Sequence, residues 1–139
     1  MSPEHYPVLW IDRTAVMTLP AEIDIANADQ VRENLLLVLN QGAVLLIADL
    51  SKTTFCDSAG ISALVRSFRR AEASGSRMHL AVSTSPVQRV LALTGVDRVL
   101  DIFPNVTAAL AAQTDSAARS DRAFGGNAAA TADTDGGAA

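Results

Sequence analysis

The side chains best suited to chemistry in this chain lie in one short run, Cys56-Asp57-Ser58-Ala59-Gly60. The run follows an apolar stretch of strand length, Ala43 to Leu50, and a polar loop. After it come apolar residues spaced three and four apart, which is typical of one face of a helix. These are Ile61, Leu64, Val65 and Phe68. The pattern therefore predicts a serine at the point where a helix begins.

A helix start suits a negative group, because its first backbone N–H groups are unpaired and the helix dipole is positive there. Phosphorylation of Ser58 would thus change the surface without unfolding the protein beneath it. The plainer interpretation is that Asp57 or Ser58 only caps the helix.

The sequence contains few other candidates for a catalytic, cofactor or metal site. There is no Gly-x-Ser-x-Gly, no phosphate loop and no Gly-x-Gly-x-x-Gly after a strand, so we predict no catalytic residue and no cofactor. An enzyme with Ser58 as nucleophile would lack a nearby base. The two histidines, His5 and His79, are too few and too far apart for a metal site, and His79 is predicted on a strand at the sheet surface.

Two further features allow two interpretations each. Arg66, Arg69 and Arg70 form either the solvated face of a helix or a basic rim that meets an acidic partner or a nucleotide phosphate. Cys56 is either a redox-sensitive thiol or, as we expect, a buried and inert one.

Composition narrows the class of protein. The chain has 139 residues, 49% hydrophobic and 19% charged, which suits one soluble domain. Its net charge of −4 and scattered basic residues argue against nucleic-acid binding. No signal peptide or membrane-spanning run is visible, and the single cysteine fits a reducing compartment, so we expect a cytoplasmic protein that does not bind a membrane.

The elements that must position the serine begin with a predicted hairpin of two strands, Val8 to Ile11 and Ala15 to Leu19. Glu22-Ile23-Asp24 is then predicted as a loop. Asn27, with Gln30 as its capping-box partner, starts a helix that ends just before Gly42.

The apolar run Ala43 to Leu50 is predicted as the central strand, and the Ser58 helix runs to about Ser74. The remaining elements are a strand, a helix capped by Ser85, a short strand and a last helix. Their predicted bounds are Met78 to Val82, Ser85 to Gly95, Val99 to Phe103 and Asn105 to Ala112. This order predicts an α/β fold, a mixed sheet of about five strands with about four helices, in which the later strands are parallel.

The pattern ends near residue 113. From residue 114 to 139 the chain is mostly alanine, glycine, serine, threonine and aspartate. Such a composition buries little apolar surface, so we predict a domain over residues 1–113 and a disordered tail over 114–139.

Taken together, several segments resemble the STAS domain, and most nearly the bacterial anti-sigma factor antagonists of the SpoIIAA and RsbV type. They are the loop Glu22-Ile23-Asp24, the run Phe55 to Ile61, and Ser85-Pro86-Val87 with the later Gly95. The likeness covers about Val8 to Ala112.

The resemblance implies a switch protein that binds an anti-sigma factor, a histidine-kinase-like serine kinase, and so releases a sigma factor. It implies Ser58 as the phosphorylated residue, a PP2C-type phosphatase that restores it, and partner-binding residues Asp24, Asp57, Ser58, Ala59 and Gly60. Ala59 replaces a second hydroxyl residue common in the family. The alternative within this fold is a non-phosphorylated adaptor or ligand-binding module of a transporter or a stress-signalling scaffold.

Overall fold

The computed structural model describes residues 6–112. The chain divides after Ala109 into two units, residues 1–109 and 110–139. The fold below is that of the first unit, and the predicted tail over 114–139 lies outside the described residues.

Seven strands and four helices make up the described chain. The strands are β1 (Val8–Ile11), β2 (Thr14–Thr18), β3 (Glu22–Ile23), β4 (Leu45–Asp49), β5 (Phe55–Cys56), β6 (Arg77–Ala81) and β7 (Asp101–Phe103). The helices are α1 (Ala28–Asn40), α2 (Ser58–Ala73), α3 (Ser85–Leu93) and α4, which includes residues 106–112. A 3₁₀ turn, Val96–Arg98, links α3 to β7.

The main sheet has five strands in the order β1-β2-β4-β6-β7. The β1–β2 pair is antiparallel and the other three pairs are parallel. The α/β class, the mixed five-stranded sheet and the four helices are therefore confirmed. β4 is the central strand, and its residues Leu45 to Ala48 are all buried, as a strand covered on both faces requires.

The helices α1 and α2 pack against each other and against the middle of the sheet. Their buried positions recur every three or four residues, which is the periodicity read in the sequence. Leu35 in α1 and Leu64 in α2 are fully buried, and each contributes about 1.5–3 kcal/mol by leaving water. This packing fixes the start of α2 relative to the start of α1.

The predicted loop at Glu22-Ile23-Asp24 is only partly a loop. Glu22–Ile23 forms the short strand β3, which pairs in parallel with β5 in a second, two-stranded sheet. The prediction failed because a two-residue strand leaves no periodic pattern in a sequence. The small sheet matters since it joins the segment before α1 to the segment before α2.

Three local predictions are corrected. Asn27 occupies the cap position of α1 but makes no side-chain cap hydrogen bond; its Oδ1 instead accepts the Asp24 N–H at 2.9 Å. The cap of α3 is Thr84, so Ser85 is its first helical residue. His79 lies in β6 as predicted but is fully buried, not at the surface, with Nδ1 3.0 Å from the Ala109 carbonyl oxygen and its ring centroid 4.8 Å from that of Phe103.

Candidate functional site

The start of α2 is held by its cap residue, Asp57. One carboxylate oxygen of Asp57 accepts the Gly60 N–H at 3.0 Å, and the Asp57 carbonyl accepts the Ile61 N–H at 2.9 Å. Ser58 is the first helical residue and its side chain is exposed. The predicted helix start at the serine is thus present, with Asp57 as the cap and Ser58 open to solvent.

Asp57 also connects α2 to the segment that precedes α1. Its second carboxylate oxygen accepts the Ile25 N–H at 3.3 Å, and its own N–H donates to the Ile23 carbonyl at 3.1 Å. The β3–β5 pairing brings these groups together. As a result, the loop that carries Asp24 lies beside the helix start that carries Ser58.

Side-chain hydrogen bonds hold the loop around Asp24 in one shape. Asp24 Oδ1 accepts the Ala26 N–H at 2.9 Å, and the Asn27 amide donates to the Glu22 carbonyl at 2.8 Å. Asp24 is half-buried, and its Oδ1 is engaged within the loop by the Ala26 N–H. Such short-range bonds between aspartate or asparagine and the backbone fix turns at a small entropic penalty.

Gly60 lets α2 approach the small sheet closely. A Cβ at this position would lie 2.7 Å from Cys56 Sγ, 2.8 Å from Ile23 Cγ2 and 3.0 Å from the Ile23 carbonyl oxygen. The last of these is backbone, which cannot rotate away. Glycine at position 60 is therefore needed to seat the first turn of α2 against β3.

Cys56 lies beneath the helix start, with only 3% of its surface exposed. Burial, and to a smaller extent the nearby charge of Asp57, together raise the pKa of its thiol from 9.0 to about 11. The thiol is consequently protonated at neutral pH. The expected burial of Cys56 is therefore confirmed. A buried, protonated thiol is a poor nucleophile.

Two exposed apolar residues lie on the segments that meet at Asp57. Ile25 is 83% exposed and Phe55 is 50% exposed. Neither was singled out in the sequence, where each resembles an ordinary core residue. Large apolar side chains left open beside a rigid loop are a common feature of docking surfaces.

A cleft of about 160 Å³ lies between α1 and α2, beginning at the residue after Ser58. It is lined by Ile25, Ala28, Asp29, Arg32, Ala59, Ser62, Ala63 and Arg66. Of the predicted basic rim, Arg66 lines this cleft, whereas Arg69 and Arg70 are exposed farther along α2.

The five predicted partner-binding residues lie on two neighbouring segments. Asp24 is on the loop after β3, and the others run from the cap into the first turn of α2. Gly60 is buried and shapes the site from within, whereas Ser58 faces solvent.

Within residues 6–112, no group of three or more His, Cys, Asp or Glu residues could hold a metal ion. Over the same range, no helix has the length and apolar character needed to cross a membrane.

Comparison with known proteins finds one matching family model, described as the STAS domain, over residues 7–109. The anti-sigma-B factor antagonist of Bacillus subtilis (strain 168) is 29% identical over 86 residues, which are 62% of this chain and 78% of that protein.

Three of the similar solved structures illustrate the likeness. One is TM1081 of Thermotoga maritima, described as a candidate anti-sigma factor antagonist, with a TM-score of 0.69, 25% identity, and coverage of 76% of this chain and 91% of that one. Another is the anti-sigma factor antagonist SpoIIAA in its unphosphorylated form, with a TM-score of 0.60, 22% identity, and coverage of 86% and 96%. SpoIIAA of Bacillus is also known in a phosphorylated form, with a TM-score of 0.55, 20% identity, and coverage of 83% and 98%.

Proposed function

Because this chain belongs to the STAS-domain family, we propose that it is an anti-sigma factor antagonist that is switched by phosphorylation of Ser58. In its unmodified form it binds an anti-sigma factor, a histidine-kinase-like serine kinase, and releases the sigma factor. The kinase phosphorylates Ser58, and a PP2C-type phosphatase removes the phosphate. The protein itself acts by binding, without catalysis.

The observation that carries the proposal is the position of Ser58. Its hydroxyl is exposed at the first residue of a 16-residue helix, next to a cap residue that is hydrogen-bonded to two segments. A kinase can reach this hydroxyl without unfolding the site. The positive end of the helix dipole also stabilises an added anion, so the folded protein tolerates the phosphate.

The docking surface proposed for the partner consists of the Asp24 loop and the first turn of α2, with the exposed side chains of Ile25 and Phe55. A phosphate on Ser58 adds about −1.5 to −2 charges to this surface. Desolvation of that charge opposes docking against apolar or acidic groups. A 100-fold loss of affinity needs only about 2.8 kcal/mol, which one charged group inside an interface can supply.

The test is incubation with ATP and each candidate anti-sigma kinase encoded in the same genome, followed by mass mapping of any phosphate. We expect one phosphate, on Ser58, and none on the variant Ser58→Ala, which should still bind the kinase. Phosphorylation of Ser58→Ala at the wild-type rate would overturn the assignment. Recovery of a transporter or scaffold component, with no kinase, would favour the non-phosphorylated adaptor.

A further inference from the structure

The cleft between α1 and α2 is lined by both small apolar residues and charged residues. Three alanines, Ala28, Ala59 and Ala63, contribute methyl groups to it, and Ala28 and Ala63 are buried. Arg32 and Arg66 contribute their side chains from the two helices. Small residues on adjacent helices leave room that larger side chains would fill, so the cleft can receive a side chain from outside.

The two arginines are weakly neutralised within the described residues. No carboxylate there pairs with Arg66, and the carboxylate of Asp29 lies 3.7 Å from Arg32 while its side chain is 88% exposed. The Arg32 side chain is only 26% exposed, but the exposed Asp29 carboxylate leaves the pair in contact with water, and such a pair contributes about 0–1 kcal/mol. Arg32 and Arg66 therefore keep positive charge available at the cleft, in a chain whose net charge is −4.

We propose that this cleft binds an acidic segment of the partner kinase, with one apolar side chain against the alanines and neighbouring carboxylates at Arg32 and Arg66. This inference rests on the proposed function and names the chemistry of the partner. Two observations support a protein segment. The cleft begins at Ala59, so it is continuous with the surface around Ser58. Its lining also includes the cationic side chains of Arg32 and Arg66.

The same arrangement provides a second reason why phosphorylation of Ser58 would weaken binding of the partner. A phosphate on Ser58 would stand beside the entrance that the acidic segment must use. Its charge would repel the partner carboxylates that Arg32 and Arg66 attract. Phosphorylation would therefore weaken binding by like-charge repulsion in addition to desolvation.

The experiment measures the affinity of the Ser58 kinase for four variants by calorimetry. Ala59→Leu fills the cleft, and the double variant Arg32→Glu with Arg66→Glu reverses its charge. Arg89→Glu, an exposed arginine on α3, is the matched control. We expect each cleft variant to bind at least about tenfold more weakly, which corresponds to about 1.4 kcal/mol, and the control to match the wild type. Affinity should also depend less on salt concentration in Arg66→Gln than in the wild type.

Each outcome decides the inference. If both cleft variants bind like the wild type while the wild type is bound and phosphorylated on Ser58, the cleft assignment is wrong and the proposed function stands. If no kinase binds or phosphorylates the wild type, both the cleft assignment and the proposed function are wrong. If Ala59→Leu proves unstable, the arginine variants decide alone. ATP is titrated separately against the wild type, and binding that the double arginine variant abolishes would overturn the protein segment in favour of a nucleotide.

Discussion

The Asp57 carboxylate accepts the backbone N–H of Ile25 at 3.3 Å, across a sequence separation of 32 residues. The same carboxylate caps α2 through the N–H of Gly60. One side chain therefore sets the start of the helix and ties it to the loop after β3. In the proposed function, this is why the Asp24 loop and Ser58 present one rigid surface to a partner.

Replacement of Asp57 by alanine should lower the free energy of unfolding and loosen the loop. Loss of a helix cap costs about 0.5–2 kcal/mol, and Asp57→Asn should retain most of that stability because asparagine also caps well. Urea denaturation measures the first effect, and amide hydrogen exchange at Ile25 measures the second. Unchanged protection of the Ile25 amide in Asp57→Ala would show that the bond between the two segments is unimportant.

Replacement of Gly60 by alanine should destabilise the protein by about 1–3 kcal/mol, since the added methyl overpacks the contact with β3. The double variant Gly60→Ala with Cys56→Ala separates the overpacking against Cys56 from the overpacking against Ile23. Removing Cys56 Sγ relieves the 2.7 Å contact, but the contacts with Ile23 Cγ2 at 2.8 Å and the Ile23 carbonyl oxygen at 3.0 Å remain. Urea denaturation should therefore show that Gly60→Ala is less damaging in the Cys56→Ala background than in the wild type. Wild-type stability for Gly60→Ala alone would contradict the close packing of α2.

The Cys56 thiol should make stability depend on pH in the alkaline range. Its pKa is about 11 in the folded protein, against 9.0 as the ordinary value. Between these two values the folded state keeps the proton and the unfolded state releases it, so the free energy of unfolding falls as pH rises. Below pH 9 the contribution is fully present. Subtracting the curve of Cys56→Ala isolates it from other groups that titrate there. A difference between the two curves that stays flat from pH 9 to pH 11 would contradict the raised pKa.

Substitution of the exposed apolar residues should separate binding from stability. Ile25→Ala and Phe55→Ala remove side chains that contribute little to the core, so unfolding free energies should stay within about 0.5 kcal/mol of the wild type. Affinity for the partner kinase should fall about tenfold or more, because apolar anchors dominate such interfaces. Leu93→Ala is the control: Leu93 is 79% exposed, similar to Ile25 at 83%, and lies on α3. Equal effects of all three variants on binding would argue against a local docking surface.

Much of the fold could be predicted from the sequence because its long elements carry strong periodicity. The apolar run that forms β4 and the spacing of Ile61, Leu64 and Phe68 in α2 specify buried faces directly. The two-residue strands β3 and β5 could not be predicted, since their pairing depends on contacts between distant segments. The hydrogen bond from the Asp24 N–H to Asn27 Oδ1 was not predicted for a related reason. An asparagine before a helix can bond either to the first turn of the helix or to the residues that precede it.

The site was predictable in its residues more than in its geometry. The motif identified Asp57 and Ser58, but nothing in it indicated that Asp57 would also accept the Ile25 N–H. Ile25 and Phe55 were missed because exposure is set by tertiary packing, and an isolated apolar residue carries no sign of it. The His79 prediction failed likewise, since burial of that ring depends on α4.

In the proposed function, one anion on Ser58 controls partner binding and leaves folding intact. The direct measurement compares unmodified protein with protein phosphorylated on Ser58, by calorimetric affinity for the kinase and by urea denaturation of the same two samples. We expect phosphorylation to weaken binding at least about 100-fold, or about 2.8 kcal/mol, while the free energy of unfolding changes by less than about 1 kcal/mol. Equal affinity of the two forms, or loss of affinity that accompanies unfolding, would contradict it.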